Sequence, residues 1–103
     1  MSVLIEYSIF PTDKGESVSS YVSRVIDLIR GSGYPYKFTA MGTVVETPTV
    51  REALDLVARS YDVLDPDCNR VFASIKLDIR KNKDNRLEGK VKSVEEKIGK
   101  VNT

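Results

Sequence analysis

Two carboxylates, Glu6 and Glu46, stand inside segments otherwise built from β-branched and aromatic residues, IEYSIF and GTVVET. A carboxylate held against apolar surroundings must find a charge or hydrogen-bond partner, or take up a proton. Two partners fit: Lys76, which would make the pair structural, or a cationic ligand, which would make it functional. Other chemistries are closed off. The chain has no His and one Cys, Cys68, which removes His-based nucleophile activation, zinc-finger ligation and an internal disulfide. Carboxylates alone can do acid–base work, but no nucleophile has an activating neighbour. The loop Pro11–Ser17 lacks the Arg that acylphosphatase-like chemistry would want. The expectation is a binding protein, not an enzyme, with no cofactor and no metal.

The 103 residues are 41% hydrophobic and 30% charged, with 16 basic and 15 acidic side chains and a net charge of +1. That predicts one folded domain spanning 1–103. It gives no overall electrostatic pull toward nucleic acid or an anionic membrane. The basic run from Arg80 to Lys92 is interrupted by Asp84 and Glu88 and reads as a solvated surface. No apolar run is long enough to span a bilayer, and no signal-peptide pattern opens the chain, so a cytoplasmic address is expected.

Alternation places strands at Ser2–Phe10, Tyr36–Ala40, Thr43–Thr47 and Arg70–Arg80. Between them, Val18, Val22, Val25, Ile26 and Ile29 recur at helical spacing after Ser17, a candidate N-cap. Thr49 and Glu52 form a capping-box pattern ahead of Ala53, Leu54, Val57, Ala58, Tyr61 and Leu64. A last narrow stripe, Leu87, Val91, Val94, Ile98 and Val101, predicts a third helix. The order is β-α-β-β-α-β-α. This is an α+β, ferredoxin-like βαββαβ unit with an additional C-terminal helix and a four-stranded antiparallel sheet.

In that arrangement the odd-numbered residues of the first and fourth strands meet the helices. The even-numbered ones (Leu4, Glu6, Ser8, Phe10; Phe72, Ser74, Lys76, Asp78), with Val44 and Glu46, line the other face. That face is too apolar to remain bare. It predicts self-association, as a homodimer or homotetramer, through the open side of the sheet, with Glu6 and Glu46 as neighbours near its middle.

The segments IEYSIFP, SSYV, AMGTVVE and RVFASIKLDIRKNKD follow in the order and spacing of a small bacterial and archaeal group. On them the chain resembles the thiamine-binding protein-like family along nearly its whole length. The resemblance implies ferredoxin-like subunits that assemble through their sheets, and binding of thiamine or a related pyrimidine, as a carrier or sensor. It implies Ser20, Gly42, Thr43 and Glu46 as ligand-binding residues, and the sheet-face argument adds Glu6 and Ser8. A carboxylate would balance the thiazolium charge, hydroxyls would orient the ligand, and Gly42 would let the backbone approach it. The alternative is a regulatory or assembly module with no small-molecule ligand. An RNA-recognition reading of the same strand order is disfavoured, because the third strand, TVVET, has no aromatic platform.

Overall fold

The computed structural model describes residues 1–103. Its elements are β1 (Ser2–Pro11), α1 (Ser19–Gly31), β2 (Tyr36–Thr39), β3 (Gly42–Thr47), α2 (Val50–Asp62), β4 (Val71–Arg80) and α3 (Arg86–Ile98). The sheet is antiparallel in the order β2-β3-β1-β4. This is the ferredoxin-like α+β arrangement. No helix is long and apolar enough to cross a membrane.

β1 is the spine. Its β-branched and aromatic residues alternate, and Val3, Ile5, Tyr7 and Ile9 are buried. They pack with Val45 of β3, Val25 and Ile29 of α1, and Ala53 and Leu56 of α2. Each fully buried aliphatic side chain of this size contributes about 1.5–3 kcal/mol. The Tyr7 hydroxyl is carried into the core, where it hydrogen-bonds Ser60 Oγ at 2.9 Å, and Ser60 in turn donates to the Leu56 carbonyl at 2.8 Å. Burial pushes the Tyr7 phenol up, only partly opposed by the Ser60 bond.

Helix starts depart from expectation in two places. The α1 N-cap is Val18, without a side-chain bond, and Ser17 does not serve. At α2 the Thr49 hydroxyl accepts the Glu52 N–H at 3.2 Å, but the reciprocal half of the capping box is absent and Glu52 Oε2 is left buried without a partner. β2 ends at Thr39, one residue short of the expected strand, because the Thr39 hydroxyl donates to the Gly42 carbonyl at 2.7 Å and closes the turn.

Two larger corrections concern the sheet faces. The odd residues of β4 lie on the helix side as expected, in register with Val3, Ile5 and Tyr7. The helices do not reach them: Ile75, Leu77 and Ile79 are 41%, 37% and 49% exposed. α1 and α2 sit over β1, β2 and β3 and leave the β4 edge bare. The opposite face is not fully open either. The first turn of α3 folds back over it, burying Leu87 and Arg86 and seating them on Glu46.

Candidate ligand-binding site

The register of β1 locates a cavity. β1 pairs with β4 along its whole length, but with β3 only as far as Tyr7↔Thr43. Just beyond the β4 ladder, the Thr12 N–H donates to the Arg70 carbonyl at 2.9 Å. Hydrogen-bond direction alternates along an antiparallel strand. Even-numbered residues of β1 therefore bond toward β4, and odd-numbered residues toward β3. Because β3 begins at Gly42, Ile9 has no strand beside it, and its N–H and C=O have no protein partner on that side.

A cavity of about 350 Å³ occupies the gap. Its wall is Tyr7, Ile9 and Phe10 of β1, Val22, Val25, Ile26 and Ile29 of α1, and Phe38 to Thr43 of the β2–β3 hairpin. No ionised side chain lines it. Thr43 is 3% exposed, and its hydroxyl makes no hydrogen bond within the protein. The site thus offers apolar and aromatic walls, one free hydroxyl and a free backbone donor–acceptor pair, the composition of a small-molecule pocket.

The candidate residues separate into three groups. Ser8, Gly42 and Thr43 line this cavity. A Cβ at Gly42 would lie 3.5 Å from the Tyr7 carbonyl and 3.6 Å from Glu6 Cγ, so the hairpin runs close against β1. Glu6 lies on the other sheet face, in a smaller recess with Ser8, Met41, Ser74 and Lys76. There Lys76 Nζ approaches it at 2.9 Å. Ser20 is exposed in the first turn of α1, where its carbonyl accepts the Ser23 hydroxyl at 2.8 Å.

Glu46 is committed elsewhere. Its carboxylate accepts the Arg86 N–H at 3.0 Å and the Leu87 N–H at 2.9 Å, two of the unpaired donors that open α3. Burial alone would raise its pKa. The two backbone donors, the Ser2 hydroxyl and the Arg86 charge outweigh burial and hold the group below the ordinary glutamate range. Arg86 completes the node: it donates to Ser2 Oγ at 3.0 Å, the Ser2 carbonyl at 2.8 Å, Asp78 Oδ2 at 2.9 Å and the Asp78 carbonyl at 2.6 Å. Glu6 and Glu46 are diagonal neighbours on adjacent strands, since Glu6 faces Val44 and Glu46 faces Leu4, yet Glu6 pairs with Lys76 and Glu46 with the backbone N–H groups that open α3.

Sequence reading missed the Ile9 backbone edge and the cavity walls from α1. One signal was present. The apolar stripe of α1 is wider than its core contacts, and Val18, Val22 and Ile26 are only half-buried.

Comparison with known proteins assigns the family. A model described as thiamine-binding protein matches residues 5–95. The chain belongs to the thiamine-binding protein family. A UPF0045 protein of Methanocaldococcus jannaschii is 37% identical over 94 residues, covering 91% of this chain and 93% of that protein. A UPF0045 protein of Mycobacterium tuberculosis is also 37% identical over 95 residues, covering 92% and 93% respectively. Among solved structures of this fold, the Methanocaldococcus protein superimposes with a TM-score of 0.81, covering 92% of this chain and 97% of that one, at 37% identity. A Thermotoga maritima protein described as a thiamine biosynthesis/salvage candidate superimposes with a TM-score of 0.78 over 91% of this chain and 99% of that one. At 20% identity it supports the fold alone.

Proposed function

We propose that this member of the thiamine-binding protein family is a non-catalytic carrier or sensor that binds thiamine or a related aminopyrimidine in the cavity beside Ile9. The observation that carries the reading is the interrupted β1–β3 ladder. The Ile9 N–H and C=O present one donor and one acceptor to an apolar cavity. An aminopyrimidine edge presents a ring nitrogen acceptor beside an amino donor, the complementary pattern. The Thr43 hydroxyl supplies a third contact, and the ring packs between Tyr7 and Phe38.

The absence of an ionised wall residue favours one orientation in this reading. The neutral pyrimidine half enters the cavity, and the cationic thiazolium half stays at its solvent-facing mouth, near aromatic faces that favour a cation. Neither Glu46 nor Glu6 serves as the counter-ion in this arrangement, since both are already paired.

We further propose that subunits meet through the sheet face opposite α1 and α2. There the Phe10 and Phe72 rings meet tilted at 45° with centroids 6.0 Å apart, and Phe72 is 56% exposed.

Isothermal titration calorimetry with thiamine, and separately with its aminopyrimidine half, tests the ligand. Saturable heat with both, abolished by Val22→Trp, which fills the cavity, supports the reading. No heat with either at millimolar concentration overturns it in favour of an assembly module without a ligand.

A further inference from the structure

The cavity beside Ile9 adjoins a second hollow. Tyr7, Ser8 and Met41 line the cavity and also line the recess that holds Glu6, Ser74 and Lys76. The two lie on opposite faces of the sheet and meet where the sheet is interrupted. The β1–β3 ladder stops at Tyr7↔Thr43, so no strand closes the space beside Ser8 and Ile9 on that side. Gly42 adds no side chain there, although a Cβ at this position would stand 3.6 Å from Glu6 Cγ. Met41, 89% exposed, stands at the shared rim.

The recess is polar where the cavity is apolar. It measures about 330 Å³. Across the β1–β4 ladder, Ser8 faces Ser74 and Glu6 faces Lys76. Neither serine hydroxyl bonds to another protein group. Lys76 Nζ lies 2.9 Å from Glu6 Oε1, and the two side chains are 78% and 47% exposed, open to a ligand. From Ile9 to Glu6 is three residues of strand, about 10 Å. A two-ring ligand with a short arm, seated by its first ring against Ile9, spans that distance.

The ion pair is matched to one chemical group. It offers an acceptor and a donor side by side, with no net charge. A neutral hydroxyl both donates and accepts, so it bridges carboxylate and ammonium without separating them. A phosphate ester does not fit. It carries about −1.5 to −2 charges at neutral pH and presents acceptor oxygens, so it reaches Lys76 only by crowding Glu6 with like charge. No other cation lines either hollow.

Resting on the thiamine reading above, we infer that the Glu6–Lys76 pair, with Ser8 and Ser74, is a subsite for the free hydroxyethyl end of the ligand and selects the alcohol against its phosphate esters. The alcohol gains a hydrogen-bonded place, and the ester meets a carboxylate set against it. Such a carrier serves the compound before phosphoryl transfer to that hydroxyl, not after it.

Calorimetry with three titrants tests the subsite: thiamine, thiamine monophosphate, and the thiamine analogue with an ethyl arm in place of hydroxyethyl. Wild type should bind the monophosphate and the ethyl analogue about tenfold more weakly than thiamine, the effect of one charge-assisted hydrogen bond. Glu6→Gln should move thiamine and its monophosphate in opposite directions, the first about threefold weaker and the second about threefold tighter, as expected for one exposed charge. A folding defect would weaken both together. No heat from thiamine or from its aminopyrimidine half overturns the cavity reading, and this inference with it. Saturable heat from thiamine, with the monophosphate or the ethyl analogue bound equally well, overturns the subsite alone. So does an unchanged affinity ratio in Glu6→Gln.

Discussion

The Glu46 carboxylate accepts the backbone N–H groups of Arg86 and Leu87 at 3.0 and 2.9 Å, so a residue in the middle of the sheet caps a helix 40 positions further along the chain. The N-cap position itself, Asn85, is in the left-handed conformation and makes no side-chain bond. α3 therefore depends on a tertiary cap, and its docking and its helicity are coupled.

Replacing Glu46 by Gln removes the charge and turns one acceptor into a donor facing an N–H. The expected loss is about 1–2 kcal/mol of stability, seen as a lower urea midpoint and faster hydrogen exchange in α3. Thiamine affinity should hold within about twofold, since the carboxylate lies outside the cavity. A tenfold loss of affinity at unchanged stability would instead place Glu46 at the ligand.

The same carboxylate sets an acid response. Its folded-state pKa lies below the ordinary value of about 4.3. A depressed carboxylate contributes stability that is fully present above its unfolded pKa and is lost as pH falls through the folded one. Wild type should therefore lose thermal stability below about pH 4.3 more steeply than Glu46→Gln. Parallel melting-temperature profiles between pH 7 and 3 would remove Glu46 from the acid response.

Arg86 should be the most sensitive charged position in the chain. Arg86→Ala removes a buried guanidinium and its ion pair with Asp78, and leaves the Ser2 and Asp78 carbonyls without that donor. A cost of about 1.5–3 kcal/mol is expected from the lost charge-assisted hydrogen bonds. Arg86→Lys should recover only part of it, because an ammonium cannot reproduce the planar fork. Chemical denaturation of the two variants measures both.

Tyr7→Phe separates packing from polarity in the core. It deletes the bond to Ser60, but Ser60 keeps the Leu56 carbonyl as its acceptor. The loss should be about 1 kcal/mol, small beside the 3–5 kcal/mol expected of Tyr7→Ala by analogy with Phe→Ala truncations.

Thr43→Val tests the cavity. It is nearly isosteric and removes a hydroxyl with no protein partner, so stability should be unchanged or slightly raised. Thiamine affinity should fall about 5- to 10-fold, one hydrogen bond at about 1 kcal/mol. Unchanged affinity by calorimetry would remove Thr43 from the site.

Periodicity carried the fold because the helices and β1 answer to local rules. The spacing of Val25 and Ile29, the Thr49 cap and the alternation of Val3, Ile5, Tyr7 and Ile9 each follow from the nearest few residues. The site was legible only in part. Ser8, Gly42 and Thr43 lie at the cavity because the hairpin that carries Gly42 and Thr43 runs against β1. Glu46 looked like a ligand residue because a buried carboxylate needs a partner, and strand periodicity has no means of showing that the partner is the start of a helix 40 residues on. The Ile9 edge was invisible for a different reason. It arises from where β3 begins relative to β1, a matter of register and not of residue type. Likewise the alternation in β4 gave the correct side for Ile75, Leu77 and Ile79, but not how far the helices extend over it.

The brevity of β2 has a consequence for the size of any assembly built by adding strands. A sheet with two long sticky borders can grow without limit, copy after copy, into a fibre. Here one border is a stub of 4 residues ending in a turn. Such a stub offers few free backbone groups to an added strand, so the sheet is a poor template for growth from this side.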